Sequence, residues 1–170
     1  MSGTSYSLLA FVVIAIYSVA RPLAAAEERI SGFSSGDTLT IRSTEAWMDE
    51  QPDIVHFGGG FELRASDWSL SSEQATLYGK LDDPETIVMT GSPALILVNT
   101  VTRGKPSVIN GEAMQIVYQR SSNSISMEGD ASLSRDDHTM NGGEIEYDIE
   151  KDHLRAGGPG GIHIRIDPDD

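Results

Sequence analysis

The segment Asn110–Ala156, NGEAMQIVYQRSSNSISMEGDASLSRDDHTMNGGEIEYDIEKDHLRA, says nearly the same thing twice. An alternating run ends in a tyrosine, a polar turn follows, and a second alternating run ends in glycine. Tyr118 precedes Gly129 by eleven residues, and Tyr147 precedes the pair Gly157-Gly158 by ten and eleven. Trp47 precedes Gly58 by eleven residues, and Tyr78 to Gly91 is a longer copy stretched by Asp82-Asp83-Pro84. Four copies of strand, turn and strand predict stacked β units, and a fixed spacing repeated along the chain outweighs any single local motif.

Side chains in a strand point alternately to opposite faces, so period-two runs are the primary signal for half-buried strands. Thr38–Arg42 alternates, with Leu39 and Ile41 on one side. Thr44–Gln51 carries Trp47 and runs into a turn at Gln51-Pro52-Asp53. Ile54–Ala65 puts Val55, Phe57, Phe61, Leu63 and Ala65 on one face and His56, Glu62 and Arg64 on the other. Three glycines within that run, Gly58-Gly59-Gly60, predict a bend or bulge rather than a plain strand. Asp67–Tyr78 fits either a capped helix starting at Ser71 or Ser72 or two strands, and the parallel with the other tyrosine units favours strands. Thr86–Val98 holds Pro93, which cannot donate to a ladder, so two strands meeting at Gly91-Ser92-Pro93 are expected. Arg103-Gly104-Lys105-Pro106 reads as a turn. Val108–Tyr118, Ser124–Ser134, Thr139–Ile149, His153–Ala156 and Ile162–Ile166 continue the ladder. The expectation is an all-β antiparallel roll of about a dozen short strands. Neither terminal strand carries strong protection against pairing with another chain.

The chain has 170 residues, no cysteine and a formal net charge of -14. The 12 Lys and Arg are scattered among 26 Asp and Glu, which excludes the clustered basic surface a nucleic acid needs. Leu8–Ala20 is an apolar run, followed by Pro22 and by Ala24-Ala25-Ala26, an A-x-A cleavage pattern. As a helix it covers about 20 Å, short of the ~30 Å hydrocarbon core. Residues 1–26 are therefore expected to be a signal peptide, although Met1–Ser7 lacks the usual Lys or Arg. Residues 27–170 would be one exported domain.

No catalytic constellation stands out. His56, His138, His153 and His163 lack metal-ligand spacing and read as strand or turn positions. Asp82-Asp83-Pro84, Asp136-Asp137 and Asp167-Pro168-Asp169-Asp170 sit in expected turns, where Asp is favoured for local hydrogen bonds. Glu144 and Glu146 share one strand face, which suits a solvated surface better than two acids across a cleft. No Gly-x-Ser-x-Gly elbow is present. The reading is no enzyme, no metal and no cofactor. Tyr118 and Tyr147 are expected to be structural, each packing its ring on the next unit with the hydroxyl exposed.

In order along the chain, LTIRSTEA, VHFGGGFEL, TGSPALI, GKP, EAMQIVY, ISMEGDASL and GGEIEYDIEKDHLRA resemble the OstA-like β-jellyroll family from Thr38 to Ile166. The resemblance implies a twisted, V-shaped roll with an apolar groove. It implies a periplasmic carrier of lipopolysaccharide for outer-membrane assembly. The implied partners are lipopolysaccharide and homologous β-jellyroll domains of an inner-membrane adaptor and an outer-membrane translocon, joined by edge-strand pairing, with head-to-tail self-association. Lipid contacts carry over from the matching segments to Leu39 and Ile96. Strand parity alone adds Ile41, Val55, Phe57, Phe61, Leu63, Leu70 and Met89. Leu95 and Ile96 point opposite ways, and which faces the groove stays open. An acidic carrier of an anionic lipid is physically reasonable: an exposed charge pair is worth about 1 kcal/mol or less. Burying a dozen methylenes at ~0.8 kcal/mol each contributes on the order of 10 kcal/mol before ordering costs. The rival readings are a membrane-anchored adaptor of the same system and a structural or carbohydrate-binding β-roll filled by its own side chains.

Overall fold

A computed structural model of the protein describes residues 38–166, apart from 52, 103, 104 and 152. The expected signal segment, the Arg103-Gly104 turn centre and the Asp167–Asp170 tail lie outside the described residues. Among these there are ten strands: β1 (Thr40–Met48), β2 (Ile54–Arg64), β3 (Trp68–Ser72), β4 (Gln74–Lys80), β5 (Asp83–Thr102), β6 (Lys105–Gln119), β7 (Ser124–Arg135), β8 (His138–Asp148), β9 (His153–Gly157) and β10 (His163–Ile166). Every pairing is antiparallel. Strands are fewer and longer than the sequence suggests. Most of Thr38–Arg42 and Thr44–Gln51 merges into one strand, Thr40–Met48, and Thr86–Val98 lies within the 20 residues of β5. Lys105 and Pro106 belong to β6, paired with Thr102 and Val101, rather than to a turn.

The long strands run through a bend. Register breaks fall between Ser43 and Glu45 in β1, Thr90 and Ala94 in β5, Glu112 and Gln115 in β6, and Glu128 and Ala131 in β7. On one side of this line the order is β1-β2-β3-β5-β6-β7-β8-β10; on the other, β4 replaces β3 and β9 replaces β10. We call these two halves the β3 sheet and the β4 sheet. Each crosses from one edge of the molecule to the other.

The glycines of the repeated pattern mark this bend. Gly59 and Gly60 have φ of 71° and 93°, and Gly129 has 78° beside Asp130 at 49°. A Cβ on Gly59 would come within 2.8 Å of Thr44 Cβ, so both backbone sign and space exclude a larger residue there. The recurring interval of about eleven residues is the path from the far end of the β4 sheet, round a turn, and back to the bend. The aromatics that open each copy are not equivalent. Trp47 and Tyr78 lie on the outer face, 51% and 40% exposed, whereas Tyr118 and Tyr147 are buried inside, with the Tyr118 hydroxyl enclosed. The exposed hydroxyl expected of Tyr118 is not found, because that ring lies on the inward parity of its strand, as does the ring of Tyr147.

Candidate functional site

The inner faces of the two sheets form continuous apolar rows. In the β3 sheet, cross-strand partners run Ile41, Leu63, Leu70, Ile96, Gly111, Leu133, Met140 and Ile164. In the β4 sheet one row runs Met48, Val55, Leu77, Ile87, Tyr118, Ile125, Tyr147 and Leu154. The row beside it contains Phe57, Ala75, Met89, Ile116, Met127 and Ile145. Such rows need one register only, because a slip by one residue would turn each apolar side chain outward.

The bulges make these rows possible. Met89 and Ala94 are five residues apart and Ala113 and Ile116 three apart, yet all four are buried on the same face. An uninterrupted strand cannot place oddly spaced residues on one face; an extra bulge residue resets the alternation. This settles the Leu95 and Ile96 question. Counting by twos from Met89 would turn Leu95 inward, but the break at Gly91-Ser92-Pro93 reverses parity, leaving Leu95 42% exposed and Ile96 2%.

All nine sequence-derived candidates lie on the interior side. Val55, Phe57, Phe61, Leu63, Leu70, Met89 and Ile96 are buried in the core, and Leu39 and Ile41 pack half-buried against it at the β1 edge. Ile116, Tyr118, Met127 and Ile145 share the same inner face, beyond the nine residues that the sequence singles out. The same period-two count in Val108–Tyr118, Ser124–Ser134 and Thr139–Ile149 reaches them. Phe57 and Phe61, on either side of the bulge in β2, bring their ring centroids to 5.3 Å and fill the inside of the bend.

Polar chemistry stays outside or at the ends. Glu62 accepts from Arg64 at 2.7 Å and Arg155 lies 3.6 Å from Glu146, both solvated pairs worth little. Trp47 stacks on His56 at 5.4 Å, and His56 Nε2 lies 3.5 Å from Asp49. Ser107, a buried polar residue, donates to Asp136 Oδ1 at 2.7 Å. Glu144 and Glu146 are exposed neighbours in β8. Among the described residues, no three His, Cys, Asp or Glu side chains gather as a metal site.

The family model described as LptA/(LptD N-terminal domain) LPS transport protein matches residues 40–153, which spans β1 to the start of β9. The chain belongs to this family. Among solved structures it is similar to LptH, the LptA homologous periplasmic component of the lipopolysaccharide transport device of Pseudomonas aeruginosa. The TM-score is 0.69 at 18% identity, covering 77% of this chain and 96% of that one. At that identity the likeness speaks for the fold, an LptA-type β-jellyroll. No curated protein matches the sequence. The continuous apolar interior is the largest organised feature that the geometry offers as a candidate site.

Proposed function

We propose that this protein carries lipopolysaccharide through the periplasm by holding its acyl chains against the apolar interior, as one link in a bridge of like folds between the inner and outer membranes. The observation that carries this is the continuity of the inner rows. They run from β1 to β10 and β9 without a charged residue in the Ile41–Ile164 row, and their ends emerge exposed at Ile164 and Met48. An acyl chain leaving one edge would meet the corresponding row of a neighbouring fold. Edge strands β1 and β10, unpaired on their outer side among the described residues, supply the backbone groups for that junction, since an antiparallel edge accepts another strand.

Leu39, Ile41, Val55, Phe57, Phe61, Leu63, Leu70, Met89 and Ile96 are the proposed tail contacts. Residues 1–26 would direct export and be removed, leaving the β-jellyroll domain in the periplasm. The acidic exterior keeps the phosphorylated sugar in water and weakens its hold on the protein, which favours release. Burial of tail methylenes, at ~0.8 kcal/mol each, outweighs that repulsion.

The test uses a photo-crosslinking residue at Phe61, inside and 2% exposed, with Glu62 on the outer face as control. A lipopolysaccharide adduct in intact cells at position 61 and none at 62 is expected. Lipid-free protein at both positions, with folding and export intact, would refute the reading.

A further inference from the structure

The interior carries a feature that a passive apolar groove does not need. Gly111 holds an inward position in β6, between buried Ile109 and Ala113, and it leaves a gap in the Ile41–Ile164 row. A Cβ at Gly111 would lie 2.8 Å from Met127 Sδ and 2.7 Å from Ile96 Cγ2. Met127 belongs to the β4 sheet, paired with Ile116 and Ile145, while Gly111 belongs to the β3 sheet. The thioether of one sheet thus sits in the notch of the other. A methionine chain is unbranched, flexible and polarisable, close in width and polarity to a stretch of alkyl chain.

A second contact closes the side away from the bend. Trp68 opens β3 at the end of that strand away from the bend, and Tyr118 lies away from the bend in the β4 sheet, one residue before the end of β6. Their rings meet edge to face, with centroids 5.6 Å apart and planes at 61°. Trp68 and Tyr118 are both buried. This pair joins the two sheets away from the bend.

We propose that the roll is held shut by a clasp made of Met127 seated on Gly111 and Trp68 set against Tyr118, and that an entering acyl chain takes the place of Met127 and parts the two sheets. The inference rests on the lipid-carrier reading above. The tail replaces a thioether by methylenes in the same apolar notch, so the exchange exposes no polar group. A ligand shifts such an equilibrium only through its preference for the parted form, and its apparent affinity is reduced by the fraction of molecules that are open. The clasp would therefore set how readily the interior fills, and would reclose behind a departing tail.

The chain has two tryptophans. Trp47→Phe, a change on the outer face, leaves Trp68 as sole reporter in an otherwise intact domain. On titration with laurate, and separately with lipopolysaccharide, Trp68 emission is expected to shift saturably as the ring leaves Tyr118. In the wild-type background, Tyr118→Leu and Met127→Ala should each raise laurate affinity roughly two- to tenfold, the factor equivalent to losing one aromatic pair or its like. The emission readout needs no core substitution, so it decides the matter even where Met127→Ala fails to fold. Laurate binding with unchanged Trp68 emission and unchanged variant affinities would overturn the clasp and leave the carrier reading standing. Failure of the folded parent protein to bind either probe would overturn both.

Discussion

The middle of the roll and its two edges are built from the same chemistry and behave differently. Leu63, Leu70 and Ile96 lie in the same inner row as Ile164, yet the first three are 0–2% exposed and Ile164 is 61%. Ile166, beside it on β10, is 64% exposed, and Met48 at the opposite edge of the β4 sheet is 70%. A residue in a sheet is covered by neighbours on both flanks and by the facing sheet. At an edge one flank is missing, and at β9 and β10 the two sheets end on separate strands joined through Gly157–Gly161. The lesson is that burial here follows position in the row rather than residue type. Among the described residues the edges carry uncovered apolar surface, which is the usual mark of an interaction surface.

The sharpest way to break this comparison is to truncate one residue of each kind. Leu70→Ala should cost about 2–5 kcal/mol, the range for a fully buried large-to-small change. Ile164→Ala should stay within ~0.5 kcal/mol, as for exposed positions. Urea unfolding of both variants checks it, and equal losses would mean that the edge is as well covered as the centre. Next in size, Gly111→Ala places a methyl against Met127 and Ile96 and is expected to destabilise by ~1–3 kcal/mol through overpacking. If it proves neutral, the two sheets are not in tight contact at that point. Ser107→Ala removes the hydroxyl that donates to Asp136 at 2.7 Å and should cost about 1 kcal/mol, measured by thermal unfolding.

The edges offer the smaller stability effects and the larger effects on assembly. Ile164→Lys should leave the melting temperature of the dilute domain nearly unchanged while lowering any concentration-dependent association seen by sedimentation, since charge on an edge strand opposes strand addition. Smallest of all is the turn between β8 and β9. Lys151 Nζ donates to Asp148 Oδ2 at 2.6 Å, and this hydrogen bond holds the Asp148 carboxyl below its ordinary pKa. A depressed folded-state pKa contributes stability above the ordinary carboxylate range, and the contribution is lost as pH falls through the folded value. Lys151→Met should move the Asp148 titration back upward in a carboxyl-resolved NMR experiment, with little change in stability because the pair is exposed.

Much of this was open to reading along the chain. The alternation in Ile54–Ala65 already separates Phe57 and Phe61 from His56 and Glu62, and the three glycines between them announce the bend. The order of short motifs from Leu39 to Ala156 resembles one family, and the family match and fold agree with it. Residues near the bulges were harder. Parity counted through Thr90–Ala94 gives the wrong face for Leu95, because a bulge changes the count and its length is set by how neighbouring strands pair. The tyrosines of the repeat looked alike in sequence, yet Tyr78 faces out and Tyr118 in. One register step separates those fates.

The sequence by itself determined the local terms: which segments alternate, where glycine permits a bend, where Asp and Asn favour turns, and that the balance of charge is acidic. Each depends on a residue and its near neighbours. Tertiary structure alone decided that the broken runs on either side of each bend are single strands and that the bulges line up across the sheet. It also decided that Met127 meets Gly111 and Trp68 meets Tyr118 from opposite halves of the roll. Those contacts join residues far apart in the chain. Their existence follows from the registers of several strand pairs taken together, a sum that no single stretch of sequence contains.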